Sequence, residues 1–177
     1  MMWRTTRRKT WARPQHGRPI QRRAELRLET LEARTVLSTF TIAGGDVAGL
    51  IAAIHAADSS NHNNTIALAA GGSYVLSAVD NTTDGPTGLP VVNNGGHSLV
   101  IQGNGATIAR SSDTGTPAFR LLDVAAGSVL EVDNLTLKNG LETGPAARGG
   151  GIYSQGSLKL ANAVINGNAA QGTNGAA

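Results

Sequence analysis

The sequence predicts an all-β protein: a right-handed parallel β-helix with a short capping helix, preceded by a disordered basic leader. Three observations predict this fold. Three segments in the second half repeat one pattern of apolar and turn residues, glycine is frequent (23 of 177 residues), and aromatic residues make up only 3%. The apolar content of 40% is too high for a fully disordered chain. A chain with few bulky side chains can bury apolar surface by stacking many small layers between tight turns.

The charge divides the chain into two parts. Residues 1–38 contain ten Arg and Lys residues and three Glu residues, a net charge of +7, whereas the remainder has five basic and nine acidic residues, a net charge of −4. No apolar stretch follows the Arg-rich start, so the secretory signal pattern is missing and residues 1–23 are predicted to be disordered. We expect any binding of this leader to nucleic acid to be nonspecific and to weaken with salt. The chain has no cysteine and no apolar run of about eighteen residues, so neither disulfides nor a transmembrane helix is predicted.

Residues 24–38 mix leucine with charged residues in a pattern that a short amphipathic helix would show. The segment Leu26–Ser38, LRLETLEARTVLS, resembles the LEPR-XLL sorting motif of large exported bacterial repeat proteins, although Ala33 stands where that motif has proline. The resemblance implies an extracellular or cell-surface location, with export machinery as the partner of the leader. The matching residues are Leu31, Glu32, Arg34, Val36, Leu37 and Ser38.

Residues 39–78 are predicted to form an N-terminal cap made of short strands and a helix over residues 46–58. Asp46 can cap the start of this helix, and the apolar residues that follow recur at the spacing of one helical face. A stack of parallel coils leaves unpaired backbone groups at its end, and an amphipathic helix can cover them. The order of strand, helix and strand is similar to the cap of bacterial surface β-helix proteins. The residues on the apolar face are Val47, Leu50, Ile51 and Ile54.

Residues 79–96 are rich in turn-forming residues, among them Asp84–Gly85–Pro86 and Asn93–Gly96. This composition predicts an insertion loop between coils.

Residues 97–177 are predicted to form the coils of the β-helix. The segments 98–104, 129–140 and 157–168 align, and each alternates apolar and polar residues, which directs one face inward. Asn and Gly mark the corners, where left-handed backbone conformations are needed and repeated Asn can form an amide ladder. Because every copy runs in the same sense, the pairing is predicted to be parallel. The aligned columns are Leu99, Leu130 and Leu158; Ile101, Val132 and Leu160; Gly103, Asn134 and Asn162; and, if the first copy holds two extra residues, Ala106 with Leu135 and Ile108 with Leu137.

The repeat also resembles a known family. GGGIY (Gly149–Tyr153) followed by INGNAA resembles the GGAI…FxxN repeats of polymorphic outer-membrane proteins, although Ile165 replaces the usual Phe. The resemblance implies a pectin-lyase-like solenoid that is secreted or placed at the bacterial cell surface or outer membrane. It also implies an adhesin-like role, with surface glycans or other cell-surface proteins as partners. The final residues keep the composition of a loop that leads into another coil, so we expect the coils of 97–177 to be truncated.

The residues themselves do not identify an active site, and we assign no catalytic, cofactor-binding or metal-binding residue. Glu131 and Asp133 should share the outward face of one strand, roughly 6.5–7 Å apart, a separation that glycosidic cleavage permits. The same arrangement is typical of any solvated strand face. His55 and His62 are expected at the surface. Other candidate acids are Asp113 and Asp123, and the candidate bases, which share no motif, are Arg110, Arg120, Lys138, Arg148 and Lys159.

The sequence therefore favours a non-enzymatic, exported or cell-surface β-helix protein with a role in adhesion or cell-envelope structure. The alternative is a polysaccharide lyase or glycosidase-like β-helix enzyme, or a fragment of one, because parallel β-helices also carry those activities.

Overall fold

The computed structural model describes residues 38–173, and it shows a β-solenoid of about five turns with one short helix. The predicted leader and the sorting-type segment up to residue 37 lie outside the described residues. No helix within 38–173 has both the length and the apolar character needed to span a membrane. The elements are β1 (Ser38–Ile42), α1 (Val47–Ser59), β2 (Asn64–Leu68), β3 (Ser73–Leu76), β4 (Val91–Val92), β5 (Ser98–Arg110), β6 (Leu122–Val124), β7 (Val129–Lys138), β8 (Leu141–Gly144), β9 (Ile152–Ser154), β10 (Ser157–Ala161), β11 (Val164–Asn166) and β12 (Ala169–Gly172).

The strands stack in three parallel sheets. The largest has the order β1-β2-β5-β7-β10, with β3 pairing β5 and β11 pairing β7 beyond a bend in the sheet. A second sheet has the order β4-β6-β9, and a third joins β8 to β12. Every one of these strand pairs is parallel. The predicted parallel β-helix is thereby confirmed as a parallel solenoid.

The register of the coils is the one that the sequence alignment predicts. Leu130 pairs with Leu99 in the preceding coil and with Leu158 in the following coil. The register shifts between Gln102 and Ala106, which accommodates the two extra residues of the first copy. Leu130 and other inward residues of β7 are fully buried, whereas the alternate residues are partly exposed. Burial of this apolar ladder, at about 25 cal/mol per Å² of apolar surface, supplies the main stabilisation of the stack.

The corner between the two halves of the large sheet is formed by asparagines in left-handed conformation. Asn104, Asn134 and Asn162 have φ values of 52°, 50° and 49°. Gly103, which the alignment places in this column, lies against Asn134, but in the first copy the left-handed conformation falls on the next residue, Asn104. The Asn104 amide donates to the carbonyl of Leu68 at 2.9 Å, so it bonds to the backbone of the neighbouring coil instead of joining an amide ladder.

Helix α1 covers the first coil. Asp46 Oδ1 accepts a hydrogen bond from the N–H of Gly49 at 2.8 Å, which caps the helix as predicted. Leu50 and Ile54 are fully buried, and the helix packs against β1, β2 and β3. Their burial in the same core as the strands shows that the helix shields the apolar layer at this end of the stack.

The last residues of the turn-rich segment 79–96 are part of the solenoid. Its strand β4 pairs with β6 in the second sheet. Two residues later, the side chain of Asn94 makes two hydrogen bonds to Val129: its amide donates to the carbonyl at 2.8 Å, and its oxygen accepts from the N–H at 3.1 Å. Asn94 therefore holds the segment against the start of β7.

Candidate functional site

The predicted pair Glu131 and Asp133 lies on the outward face of β7, but both carboxylates bond to the next coil. Lys159 Nζ lies 2.8 Å from Glu131 Oε1, and the Asn162 amide donates to Asp133 Oδ1 at 3.1 Å. The hydrogen bond from Lys159 to Glu131, together with the negative charge of Glu131, raises the pKa of Lys159. These contacts join neighbouring coils.

The remaining surface candidates do not converge. Arg110 donates from Nε to the Pro117 carbonyl at 2.7 Å and from Nη2 to the Thr116 carbonyl at 2.8 Å, and it lies over the ring of Phe119 at 5.6 Å. Arg110 therefore holds a loop together. The other members of this set are exposed and dispersed: Asp113, Lys138, Arg148, His55 and His62.

A buried charged cluster, defined here as Arg120, Asp123 and Glu142, is the most unusual feature of the described residues. Their relative exposures are 1%, 0% and 6%. Arg120 Nη1 lies 3.9 Å from Asp123 Oδ2, and Nη2 lies 3.5 Å from Glu142 Oε1. The guanidinium also sits over the ring of Tyr153, at 4.9 Å from its centroid. One cation thus lies between two carboxylates from different strands.

Segment 79–96 explains why this cluster is buried. Asp123 alternates with Leu122 and Val124, which face the core, so its side chain leaves the core on the opposite side of the strand. Strand β4 of the segment pairs beside β6 in the same sheet, and the residues before it, around Gly85, lie over this outward side. Gly85 lies directly over the charges, since a Cβ atom at this position would stand 2.7 Å from Arg120 Nη2. The segment is held by the N–H of Arg120, which donates to the Pro86 carbonyl at 3.0 Å.

Most polar atoms of the buried charged cluster lack a hydrogen-bond partner: Arg120 Nε and Nη1, both carboxylate oxygens of Asp123, and Glu142 Oε2. Burial raises the pKa of Asp123, the charge of Asp84 raises it further, and Arg120 opposes both effects. Unsatisfied buried charges are expensive. The cluster therefore has unused bonding capacity, and it places two carboxyl groups beside one guanidinium. Within 38–173, no three His, Asp or Glu side chains form a group that could hold a metal ion.

An open groove of about 330 Å³ lies beside the covering segment. Asp84 lines this groove and also acts on Asp123, so the groove borders the buried charged cluster. Asp58, on the helix next to His55, has its pKa raised by burial, with opposing effects from the N–H of Asn93 and from His55. The groove has a mixed lining with two acidic residues: His55, Asp80, Asn81, Thr83, Asp84 and Asn93 are polar, and Pro90, Val91 and Ala125 are apolar.

Sequence reasoning named Arg120 and Asp123 but treated the basic candidates as unconnected, and it missed Glu142. One signal was available: Arg120 and Asp123 stand three residues apart around two leucines, and charges inside an apolar run need partners when they are buried. Glu142 gives no such signal, because its contact depends on how the coils lie in three dimensions.

No protein-family model, no curated protein and no solved structure matches the chain. The fold defines the class of protein as a parallel β-solenoid with a helix over its first coil.

Proposed function

We propose that this protein is an exported or cell-surface β-solenoid without enzymatic activity that serves in adhesion or in the structure of the cell envelope. The main support is the outward face of β7, where the candidate carboxylates Glu131 and Asp133 are both used to bond the next coil. A strand face whose charges join coils supports a structural role, whereas a glycosidase requires two carboxylates that are free to act on a substrate.

The export part of the proposal rests on the leader. The segment Leu26–Ser38 resembles a sorting motif of exported bacterial repeat proteins, and the GGGIY repeat resembles outer-membrane adhesins. Surface glycans or other cell-surface proteins are the partners that such a role implies. The solenoid suits this role because its loops can vary while the stacked strands keep them in place.

The intact mass of the protein in fractions of its native host tests this proposal. We expect the protein in the medium or at the cell surface. If the leader is cleaved, the protein should be lighter by about the mass of residues 1–38. Full-length protein confined to the cytoplasm would contradict export and would direct attention to the Arg-rich leader. The purified protein should also bind intact cells or an array of surface glycans in a saturable manner, with heat-unfolded protein as the control.

The buried charged cluster favours a second candidate, a carbohydrate-active enzyme. Asp123 has a raised pKa and Glu142 lies across the same arginine, so the two carboxyl groups differ in environment, as an acid and its partner must. Substrate could reach the two carboxyl groups only if the segment that carries Gly85 moved away from them. This candidate therefore requires a conformational opening that the proposed structural role does not.

Assays on a panel of acidic and neutral polysaccharides, with and without calcium, separate the two candidates. Cleavage that is abolished in Asp123→Asn and Glu142→Gln, but retained in the matched surface variant Glu131→Gln, would establish the enzyme. Absence of cleavage across the panel, from protein whose circular dichroism shows the β-solenoid, supports the non-enzymatic function.

A further inference from the structure

The tip of segment 79–96 forms a hairpin that lies over the buried charged cluster, and we define residues 82–86 as the flap. At the base of the flap, the N–H of Thr87 donates to the Asn81 carbonyl at 2.9 Å, and the N–H of Asn81 donates to the Thr87 carbonyl at 3.2 Å. The base is held in the solenoid, because Thr87 and Leu89 are fully buried. A movement that keeps this base therefore involves the flap alone.

The flap has few bonds to the strands beneath it. Thr82, Thr83 and Asp84 are exposed. Among the described residues, one backbone hydrogen bond joins the flap to those strands: the N–H of Arg120 donates to the Pro86 carbonyl at 3.0 Å. Thr83 and Asp84 also line the open groove of about 330 Å³, so free space lies beside the flap. Lifting the flap therefore breaks one backbone bond and meets no packed element on the groove side.

Gly85 is the point at which the flap touches the charges. Its φ is +117°, in the region that favours glycine. A Cβ atom at this position would stand 2.7 Å from Arg120 Nη2 and 3.0 Å from Glu142 Oε1. The flap can therefore close to this distance only with glycine at position 85.

The closed flap leaves the charges beneath it short of partners. Among the described residues, five polar atoms of the cluster have no hydrogen-bond partner: Arg120 Nε and Nη1, both Asp123 carboxylate oxygens and Glu142 Oε2. The three side chains belong to residues that are no more than 6% exposed. Buried polar groups without partners cost free energy, and contact with water removes that cost. Hydration of these atoms therefore offsets part of the cost of lifting the flap.

The flap also carries a charge that opposes closure. The pKa of Asp123 is raised first by burial and then by the charge of Asp84 on the flap, while Arg120 lowers it. The titratable and charged groups around Asp123 are Asp84 from the flap, Arg120 before β6, Glu142 from β8 and, against Arg120, Tyr153 from β9. When all the acids are ionised, three carboxylates surround one guanidinium. Protonation of Asp123 removes one of the negative charges that repel the flap.

We propose that residues 82–86 form a pH-responsive flap, which closes over the buried charged cluster when Asp123 is protonated and opens more often when Asp123 is ionised. The inference holds for either candidate function, because it concerns access to the cluster and not the chemistry of the cluster. In the open form, water reaches Asp123 and its pKa falls toward the ordinary value of about 4. The closed form thus binds the proton more tightly, so the ratio of open to closed molecules rises with pH, by up to about tenfold per pH unit, until the pKa of the closed form is passed.

Hydrogen exchange of the 177-residue protein, followed by NMR from about pH 4 to about pH 8, tests the proposal. The N–H of Arg120 reports opening, because its partner is the Pro86 carbonyl of the flap. The N–H of Ala69, which donates to the Ile42 carbonyl in the first coil, reports unfolding of the stack. After correction for the intrinsic pH dependence of exchange, we expect Arg120 to exchange faster than Ala69. We also expect the protection of Arg120 to fall at least about tenfold across this range.

Two variants should have opposite effects on this amide. Asp123→Asn removes the titrating group, so the protection of the Arg120 N–H should stay high at every pH. Gly85→Ala places a Cβ atom against Arg120 Nη2, so the protection should be low at every pH. Asp84→Asn, at an exposed position of the flap, should reduce the pH dependence and provides a second test if Asp123→Asn does not fold. The matched control is Asp113→Asn, at an exposed position outside the flap, which should behave as the wild type.

Three results would overturn the proposal. One is protection of the Arg120 N–H that stays constant or rises with pH in the wild type. Another is equal exchange of Arg120 and Ala69 at every pH, which would show that only unfolding of the stack exposes the amide. The third is loss of the pH dependence in Asp113→Asn, which would assign it to a different carboxyl group.

Discussion

Tyr74 uses one hydroxyl group to join two backbone segments of the first coil. It is fully buried; its O–H donates to the Ile42 carbonyl at 3.1 Å, and its oxygen accepts from the N–H of Ala69 at 3.1 Å. Tyr74→Phe keeps the ring and removes both bonds. The Ala69 N–H and the Ile42 carbonyl also bond each other at 3.0 Å, so the change leaves neither group unpaired. Each bond of the hydroxyl contributes about 0.5–1 kcal/mol net, and we therefore expect Tyr74→Phe to lower the free energy of unfolding by about 1–2 kcal/mol.

The chain offers a matched control for this change. Its second tyrosine, Tyr153, is partly exposed and presents its ring face to Arg120, a contact that phenylalanine preserves. Tyr153→Phe should change the free energy of unfolding by less than about 0.5 kcal/mol. Urea denaturation at one protein concentration measures both variants, with equal m-values as the check on two-state unfolding. A loss below about 0.5 kcal/mol for Tyr74→Phe would refute the role of the hydroxyl.

Three further variants test other parts of the structure. Gly103→Ala should cost about 1–3 kcal/mol, because a Cβ atom there would overlap the carbonyl oxygen of Asn134; Gly44→Ala, whose Cβ would meet nothing closer than 3.9 Å, should be nearly neutral in the same thermal melts. Asp46→Ala should cost about 1 kcal/mol through loss of the helix cap, and a melting temperature equal to that of the wild type would argue against the cap. The raised pKa of Asp123 means that the folded state binds its proton more tightly than the unfolded chain does, so its contribution to the free energy of unfolding grows as pH falls through the folded-state pKa and is complete below the ordinary value. Relative to Asp123→Asn, the wild type should therefore gain stability as the pH falls toward the ordinary value of about 4, and a slope of the opposite sign in pH-dependent denaturation would contradict this.

The sequence predicts the coils well because their determinants are local and repeated. The alternation around Leu130 indicates which residues face inward, and the same alternation around Leu99 and Leu158 indicates the register. The helix is predicted nearly to its bounds, since a capping residue and a spacing of three and four residues are sequence signals. At Gly103 the alignment gives the register, but the left-handed turn falls on Asn104, within the stretch where the first copy holds its extra residues.

The buried charged cluster could not be predicted in this way. The side chain of Asp123 points outward from its strand. Outward side chains are expected to be exposed, but this one is buried because segment 79–96 folds over it. Glu142 lies on β8, which comes later in the chain than Arg120. No spacing in the sequence predicts the contact between these two residues. The exposure of Leu160 and Ile165 is similar: both have the pattern of core residues, and only the stack shows that each is 45% exposed.

The sequence by itself determined the parallel solenoid, the inward columns and the capping helix, because each follows from periodicity, turn chemistry and a repeat that runs in one sense. The tertiary structure alone decided which polar residues are buried and which carboxylates bond between coils. Those properties depend on what lies over a given strand, and the covering element comes from a distant part of the chain.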